Sequence, residues 1–291
     1  TCVPINLFGG FGTITDEMAG YATAIALQQQ KYSQRIATAT INGPIEFIEV
    51  PGAGAPLSMS FGYEYRKEKG LFVASGSMGN IVSALSWCDR GEELICGAEA
   101  HLLVNEMGSI AAFGGIQMRA VPDGKRGLMD PDLVDSTISP NGWFPNTSLL
   151  VLENTHNRGN GAAYSKQEME PLAEVARARS LAVHIDGARI LNASVALSTP
   201  PSELASVADS VTFCLSKGLA APVGSVVVGD EAFIHRARRV RKMLGGGMRQ
   251  AGVLAAAGLV ALETMVDRLA DDHLNAQRLA EGLASISGFV L

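Results

Sequence analysis

The sequence is poor in charge and in long apolar runs. Only 18% of its 291 residues are charged and the net charge is −6. No block of basic residues outweighs that acidic total, which argues against a nucleic-acid-binding surface. The best candidate for a membrane span, AGVLAAAGLVAL at 251–262, is shorter than the roughly 18 apolar residues that a span requires. Its small residues instead predict a helix packed closely against another helix, as at a subunit interface.

Cysteine is also scarce, and a secretory signal is not evident. The four cysteines, Cys2, Cys88, Cys96 and Cys214, have no CxxC spacing. They predict free thiols in a reducing compartment, the cytosol or an organelle matrix, and neither a metal site nor a disulfide framework. No basic region followed by an apolar core opens the chain, so we expect no secretory signal. With 47% hydrophobic residues, the chain can bury one large core or two adjoining ones.

Short apolar runs alternate with helical stretches from about residue 70 onward. The strand candidates are GLFVAS, EELICG, SLLVLEN, LAVHIDG, SVTFCLS and GSVVVGD. The stretch MGNIVSALSWC has helical spacing, and SKQEMEPLAEVARARS opens with a capping-box pattern at Ser165 and Glu168. This alternation predicts an α/β domain with a mainly parallel sheet and helices on both faces. Ligands bind at the carboxyl ends of such strands, so polar residues that follow the apolar runs are the site candidates.

The two ends of the chain depart from this pattern. Residues up to about 65 have few charges, a short glutamine run and a Gly/Pro-rich patch, and we predict no helix or strand there. The last stretch, DDHLNAQRLAEGLASISGFVL, predicts a long helix that leads into a strand. We therefore expect an atypical segment at 1–68, a large domain at 69–262 and the start of a smaller, incomplete domain at 263–291.

Two charged residues occupy unusual places. Lys217 lies in the apolar stretch TFCLSKGLAAPVGS, between Ser216 and Gly218. Because lysine is rarely buried, it is either in a surface turn or an amine kept from water to attack a carbonyl. Asp186 ends the apolar run in LAVHIDG, and Arg189 follows within one turn. Such an acid either pairs with a cationic ring nitrogen or caps the next helix, and the local pattern alone favours the cap.

Three further strand ends carry polar groups. In LFVASGSMGN the strand leads into Gly76 and Ser77, and we expect a helix from about Met78. Backbone N–H groups there would hold a phosphate, although an ordinary strand-to-helix turn looks similar. His101 follows LICG, where its ring could stack on a flat cofactor, and His156 follows SLLVLEN as a candidate general base. A single histidine of either kind is more often a hydrogen-bonded structural residue.

Taken together, these groups are the parts of a pyridoxal phosphate site. They comprise a phosphate cradle, a stacking ring, an acid for the ring nitrogen and an isolated lysine whose amine attacks the cofactor aldehyde. From about Lys69 to about Ala284 the sequence resembles the low-specificity L-threonine aldolases, which are fold-type I pyridoxal phosphate enzymes. The matching strings, in the same order, are SGSMGN, GAEAH, ENTHNRG, HIDGAR, CLSKGLAAPVGS and RKMLGGGMRQAG.

The resemblance implies a fold and a set of cofactor contacts. The fold would be that of the aspartate aminotransferase-like large domain, with a truncated small domain. Lys217 would carry the cofactor as an imine, with Ser216 beside it, Asp186 would pair with the pyridine nitrogen, and His101 would stack on the ring. The phosphate would be held by Gly76 and by Ser77, which stands where the family usually has threonine.

The resemblance also implies residues for the substrate and for a neighbouring subunit. Arg189 would contact the cofactor oxygen or the substrate carboxylate, and His156 would assist proton transfer at the substrate hydroxyl. Arg249, in LGGGMRQ, resembles a residue that reaches the phosphate from the neighbouring subunit, and Lys242 is expected near the same pocket. The family is homotetrameric, with active sites shared across a dimer interface.

The implied reaction is the retro-aldol cleavage of L-threonine or L-allo-threonine to glycine and acetaldehyde, in the cytoplasm and without a metal. One alternative is another fold-type I lyase that acts on β-hydroxy amino acids. The other is an inactive fragment or pseudoenzyme that assembles with full-length partners. Substrate profiling distinguishes the first alternative from a threonine aldolase, and a test of cofactor binding distinguishes the second.

The sequence departs from the family at both ends. Gly9 and Gly10 stand where the family has serine and aspartate, and residues 20–65 lack its acidic, tyrosine-containing loop and helix. A natural replacement and a reading-frame or splice-model error are the two hypotheses for this stretch. The sequence ends at Leu291, where the family continues into a small domain with an arginine for the substrate carboxylate. We therefore expect cofactor chemistry to be better represented here than substrate capture.

Overall fold

A computed structural model describes most of the chain. The described residues are 35–45 and 57–67, for the backbone, and 70–140 and 142–286. The chain divides into two compact units, Thr1–Lys69 and Gly70–Leu291. Cys2, Gly9, Gly10 and the strand expected after Ala284 lie outside the described residues. The predicted three-part division stays a prediction.

The first unit contains two strands that we did not predict. Strand β1, Arg35–Ile45, pairs antiparallel with β2, Leu57–Lys67, in a continuous register from Arg35 opposite Lys67 to Ile45 opposite Leu57. The expectation that this stretch has no strand was therefore wrong. Threonine and isoleucine recur along RIATATINGPI and favour extended backbone. The glycine and proline that follow them made the stretch resemble a loop.

The second unit is built on a seven-stranded sheet. Its strands are β3 Gly70–Val73, β4 Glu93–Gly97, β5 Gln117–Val121, β6 Thr147–Glu153, β7 Ala182–Asp186, β8 Ser210–Cys214 and β9 Ser225–Gly229. Their order across the sheet is β3-β9-β8-β7-β6-β4-β5. The pairings from β8 to β5 are parallel, whereas β9 is antiparallel to both of its neighbours. The six predicted strands and the mainly parallel sheet are confirmed, whereas the edge strand β5 was not predicted.

Helices connect these strands. They are α1 Gly76–Trp87, α2 His101–Val104, α3 Pro131–Thr137, α4 Lys166–Ala178, α5 Ile190–Leu197, α6 Pro201–Ala205, α7 Glu231–Met243, α8 Gly252–Thr264 and α9 Leu269–Ala284. The capping box at Ser165 and Glu168 is confirmed at the start of α4. Helix α1 begins at Gly76, before the expected Met78, because the Ser75 side chain caps it by accepting a bond from the Met78 N–H. Within the described part of the chain, none of the helices combines the length and apolar character that crossing a membrane needs.

Alternating residues of β6 belong to two different core clusters. In β6, Leu150 and Leu152 belong to a cluster with residues of α4 and α5, whereas Leu149 and Val151 belong to another that includes Ile81 of α1. Successive side chains of a strand point to opposite faces, so a sheet covered on both sides is apolar on both. This explains why the parallel strands could be predicted from continuous apolar runs.

The face of β7 that is turned toward α1 carries a buried histidine. Both ring nitrogens of His184 have hydroxyl partners: Nδ1 lies 2.8 Å from Ser210 Oγ, and Nε2 lies 3.3 Å from Thr212 Oγ1. Ser210 Oγ also accepts a hydrogen bond from Trp87 Nε1 at 2.8 Å. Burial lowers the pKa of His184 to about 3, so the imidazole is neutral in the folded protein.

This histidine should make stability depend on pH. Unfolded His184 binds a proton near its ordinary pKa of 6.5, whereas the folded side chain does so only near 3. Its contribution is therefore complete above pH 6.5 and is lost as the pH falls from 6.5 toward 3, by up to about 1.4 kcal/mol per pH unit. We expect the destabilisation caused by His184→Gln, measured by urea unfolding, to shrink steadily between pH 7 and pH 4.5. The exposed His235 provides the control, and a constant difference for His184→Gln would contradict the assignment.

Helix α1 approaches the sheet closely at Gly79. A Cβ at this position would lie 2.5 Å from Thr212 Cγ2, a distance at which one of the two groups must move. We expect Gly79→Ala to destabilise the fold by about 1–3 kcal/mol, and Thr212→Ser to recover part of that loss in the double variant. Gly282, also inside a helix, has open space around it, so Gly282→Ala should stabilise by about 0.5–1 kcal/mol. Equal effects at both glycines, in thermal or urea unfolding, would show that close packing is not the cause.

Candidate active site

The carboxyl ends of the parallel strands bring several candidate residues to one edge of the sheet. Strand β7 ends at Asp186 and the neighbouring β6 ends at Glu153, which is paired with Asp186 in the register. His101 follows β4, His156 follows β6, and Lys217 follows β8. The topology therefore gathers residues that are more than a hundred positions apart in the sequence.

Asp186 is buried and held by two N–H donors. Its side chain accepts one hydrogen bond from Asn80 Nδ2, 2.8 Å from Oδ2, and another from the Ala188 backbone N–H, 3.2 Å from Oδ1. Helix α5 begins at Ile190 without a side-chain cap, so the interpretation of Asp186 as a helix cap is wrong. Burial, followed by the negative charge of Glu153 and Glu106, raises the pKa of Asp186 to about 6.

His101 opens the short helix α2 beside Asp186. Its backbone N–H donates to Glu153 Oε2 at 2.7 Å, and its Nδ1 lies 3.1 Å from Glu106 Oε1. The side chain is 31% exposed, whereas that of Glu106 is completely buried. The hydrogen bond with Glu106 is the main cause that raises the pKa of His101, and Asp186 adds to it.

Asn80 and Glu106, which were not predicted from the sequence, complete this cluster. Asn80, from the buried face of α1, donates to Asp186 and also to Glu106 Oε1 at 2.9 Å. One side-chain atom each from His101, Glu106 and Asp186 lies within 4.8 Å of the others. Asn80 donates to both carboxylates, and His101 lies within hydrogen-bonding distance of one of them. The five-residue spacing from His101 to Glu106 was the only signal in the sequence.

His156 is more deeply buried than we expect of a side chain that exchanges a proton with a substrate. Its side chain is 3% exposed, and Nδ1 accepts a hydrogen bond from the Gly159 N–H at 2.9 Å. Nε2 faces Asp123 Oδ1 at 3.6 Å, which is too long for a hydrogen bond, and both atoms are buried without a partner in the described residues. Tyr164 and Glu153 line the same small cavity. The structure thus places His156 at the expected edge with both nitrogens turned toward protein groups.

Lys217 lies in the turn after β8 and is half-buried. It lines a small cleft together with Arg189, Asn192 and Ala188, two residues beyond Asp186. The preceding Ser216 is exposed. The chain at Lys217 is therefore close to both the end of β7 and Arg189, the exposed N-cap residue of α5.

The start of α1 has the features of an anion site. The N–H groups of Gly76 and Ser77 have no acceptor among the described residues, and the first turn carries the positive end of the helix dipole. A Cβ at Gly76 would lie 2.9 Å from the Sγ of Cys214, the last residue of β8, which brings this helix start next to the strand before Lys217. A phosphate held there would be within the same cluster of strand ends.

Arg249 and Lys242 are not drawn into this cluster. Both are exposed, near the glycine-rich turn between α7 and α8, and no hydrogen bond or ion pair links them to the other candidates within the described ranges. Gly247 lies against the Lys242 side chain, since a Cβ there would be 2.8 Å from Nζ. The role expected for Arg249, toward a neighbouring subunit, stays a prediction.

Comparison with known proteins identifies the family of the chain. Residues 59–291 match the beta-eliminating lyase family. Low-specificity L-threonine aldolase 1 of Arabidopsis thaliana is 48% identical over 226 residues, which cover 76% of this chain and 63% of that protein. The low specificity L-threonine aldolase of Escherichia coli K12 is 45% identical over 226 residues, covering 77% and 67%. The chain thus spans less than two thirds of its Arabidopsis relative.

Solved structures show the same fold. A putative L-allo-threonine aldolase from Listeria monocytogenes superposes with a TM-score of 0.68 at 21% identity, over 76% of this chain and 60% of that one. A threonine aldolase from Leishmania major superposes with a TM-score of 0.67 at 20% identity, over 74% and 64%. The expected fold-type I architecture is therefore confirmed. The chain belongs to the beta-eliminating lyase family, among the relatives of the low-specificity L-threonine aldolases.

Proposed function

We propose that this protein is a pyridoxal phosphate-dependent aldolase that cleaves L-threonine and L-allo-threonine to glycine and acetaldehyde. The observation that carries the proposal is the grouping of a buried acid, a half-buried lysine and an unpaired helix start at one sheet edge. Relatives that are 45–48% identical to this chain are named low-specificity L-threonine aldolases, and the family uses pyridoxal phosphate.

The cluster fits the cofactor in charge as well as in position. Asp186 is a buried carboxylate with two like-charged neighbours, an environment in which a protonated ring nitrogen would be a favourable partner. The free N–H groups of Gly76 and Ser77 suit its phosphate. Lys217, in the cleft with Arg189, would bind the cofactor aldehyde through its amine.

Each residue then has a separate task in the reaction. Bound pyridoxal phosphate would supply an electron sink for the electrons released when the substrate Cα–Cβ bond breaks. Asp186 would keep the ring nitrogen protonated, and Arg189 would hold the substrate carboxylate or the cofactor oxygen. His101 would stack on the ring, and His156 would assist removal of the proton of the substrate hydroxyl. Ser216 would contact the cofactor beside Lys217.

We further propose a cytoplasmic homo-oligomer, a homotetramer by resemblance, that takes part in threonine breakdown and glycine formation. Helices α8 and α9 support an oligomer, since they carry exposed apolar side chains such as Val253, Val260 and Leu279. Arg249 would reach the phosphate of the neighbouring subunit. The unbridged thiols of Cys88, Cys96 and Cys214 support a reducing compartment.

The lysine can be identified chemically. We expect pyridoxal phosphate to give a visible absorption band with the full chain, and borohydride reduction followed by peptide mass spectrometry to find the label on Lys217. Lys217→Ala should lose the band and the label, whereas Lys125→Ala, an exposed lysine after β5, should keep both. A label spread over several lysines would contradict the cofactor assignment. Specific labelling without acetaldehyde release from threonine would contradict only the substrate.

Asp186 should contribute strongly to cofactor affinity. Removing one partner of a buried charge pair costs about 2 kcal/mol or more, so Asp186→Asn should weaken pyridoxal phosphate binding by about thirtyfold or more in a spectroscopic titration. Asp209→Asn is the control, because Asp209 is an exposed acid that also accepts a backbone N–H, that of Val183, but lies just before β8, at the other end of the strands. Equal affinity in wild type and Asp186→Asn would show that Asp186 does not pair with the ring.

A further inference from the structure

Glu106 occupies a position that neither the proposed reaction nor the packing accounts for. It is 4% exposed and lies in the turn after α2, five residues beyond His101. A single oxygen, Oε1, is contacted both by Asn80 Nδ2 at 2.9 Å and by His101 Nδ1 at 3.1 Å. The second oxygen, Oε2, is buried without a partner among the described residues.

The donors and acceptors of this cluster determine which nitrogen of His101 carries a proton. An ionised carboxylate is only an acceptor, so with Glu106 ionised the proton between Glu106 and His101 lies on Nδ1. Neutral His101 is then the Nδ1–H tautomer. Its Nε2 has no hydrogen-bond partner in the described part of the chain, and the side chain is partly exposed.

We propose that Glu106 is a positioning residue that fixes His101 in the Nδ1–H tautomer and leaves Nε2 free for proton exchange with a bound ligand. Asn80 extends this control to a second group, because its other N–H bonds to Asp186. The Asn80 amide thereby holds two carboxylates. That of Glu106 orients His101, and that of Asp186 is proposed to hold the cofactor ring. This inference rests on the proposed function only for the identity of the ligand.

Stability alone would not favour this arrangement. Glu106 brings a third carboxylate close to Asp186 and Glu153, and both Glu106 Oε2 and Asn80 Oδ1 are buried without partners among the described residues. Buried polar groups in such a condition are costly and are rare outside functional sites. An acid that orients a histidine and stabilises its protonated form is a recurring device in enzymes, and Glu106 has the contact that this device needs.

The effects of the charged groups around His101 on its pKa can be distinguished experimentally. Glu106 faces it from the turn after α2, Glu153 from the end of β6 and Asp186 from the end of β7. Of these, Glu106 makes the direct contact with the ring and has the largest effect in raising the pKa of His101. Glu99, two residues before His101, is an exposed acid paired with Arg158 and gives a matched control for loss of one charge on the same loop.

The test is a histidine NMR titration of the full chain without cofactor. With 15N-labelled histidine, and with the His101 signal identified by its loss in His101→Phe, we expect the neutral ring to show the Nδ1–H tautomer. In Glu106→Gln the amide oxygen can still accept this proton but no longer stabilises the cation, so the pKa of His101 should fall. In Glu106→Ala the tautomer should change to Nε2–H, and Glu99→Gln should alter neither property.

Each outcome bears on the inference separately from the proposed function. An Nε2–H tautomer in the wild-type protein would overturn the inference, and this measurement needs no variant that might fail to fold. An unchanged pKa of His101 in Glu106→Gln would overturn it as well. The expected titration together with failure of pyridoxal phosphate to label Lys217 would instead overturn the proposed function and leave the role of Glu106 intact.

Discussion

The buried carboxylate of Asp186 is the group around which the strand ends are arranged. It ends the central strand β7, and two of its charged neighbours, Glu153 and Glu106, have the same sign. Ionised, this group is costly in the folded chain because it is desolvated and repelled, and two N–H donors offset only part of that cost. Such a site has a strong preference for a cationic partner. The same electrostatics that weakens the fold therefore favours a protonated ring.

Glu153 and Glu106 have different roles, although both are close to Asp186. Both oxygens of Glu153 accept backbone N–H groups, from His101 and from Asn157, at 2.7 Å each. It thereby ties the loop after β4 to the loop after β6, and a neutral amide could satisfy only one of these donors. Glu106 contacts side chains instead. The cluster thus separates a carboxylate that holds loops from one that holds a histidine ring.

Sequence reasoning succeeded where one short stretch contains the whole signal. The buried parallel strands appeared as apolar runs, and His101, Asp186 and Lys217 stood out as polar residues at the ends of such runs. It failed where the signal depends on another element: Asn80 looks like any polar residue in a helix until β7 is placed beside it. Strands β1 and β2 were missed for a related reason. These two strands pair with each other, and neither contains an apolar run.

His184 and Asp186 lie two residues apart on the same face of β7, and their effects on stability have opposite signs. As the pH rises, His184 adds stability between about 3 and 6.5, because only the unfolded chain is protonated there. Asp186 removes stability between 3.8 and about 6, because there the folded chain binds more protons than the unfolded chain. The two dependences oppose each other over most of this interval. A cation bound to Asp186 would lower the pKa of Asp186 and remove its opposing contribution to the pH dependence. Cofactor binding should therefore make the stability of the fold fall more steeply with acid, although it raises the stability near neutral pH.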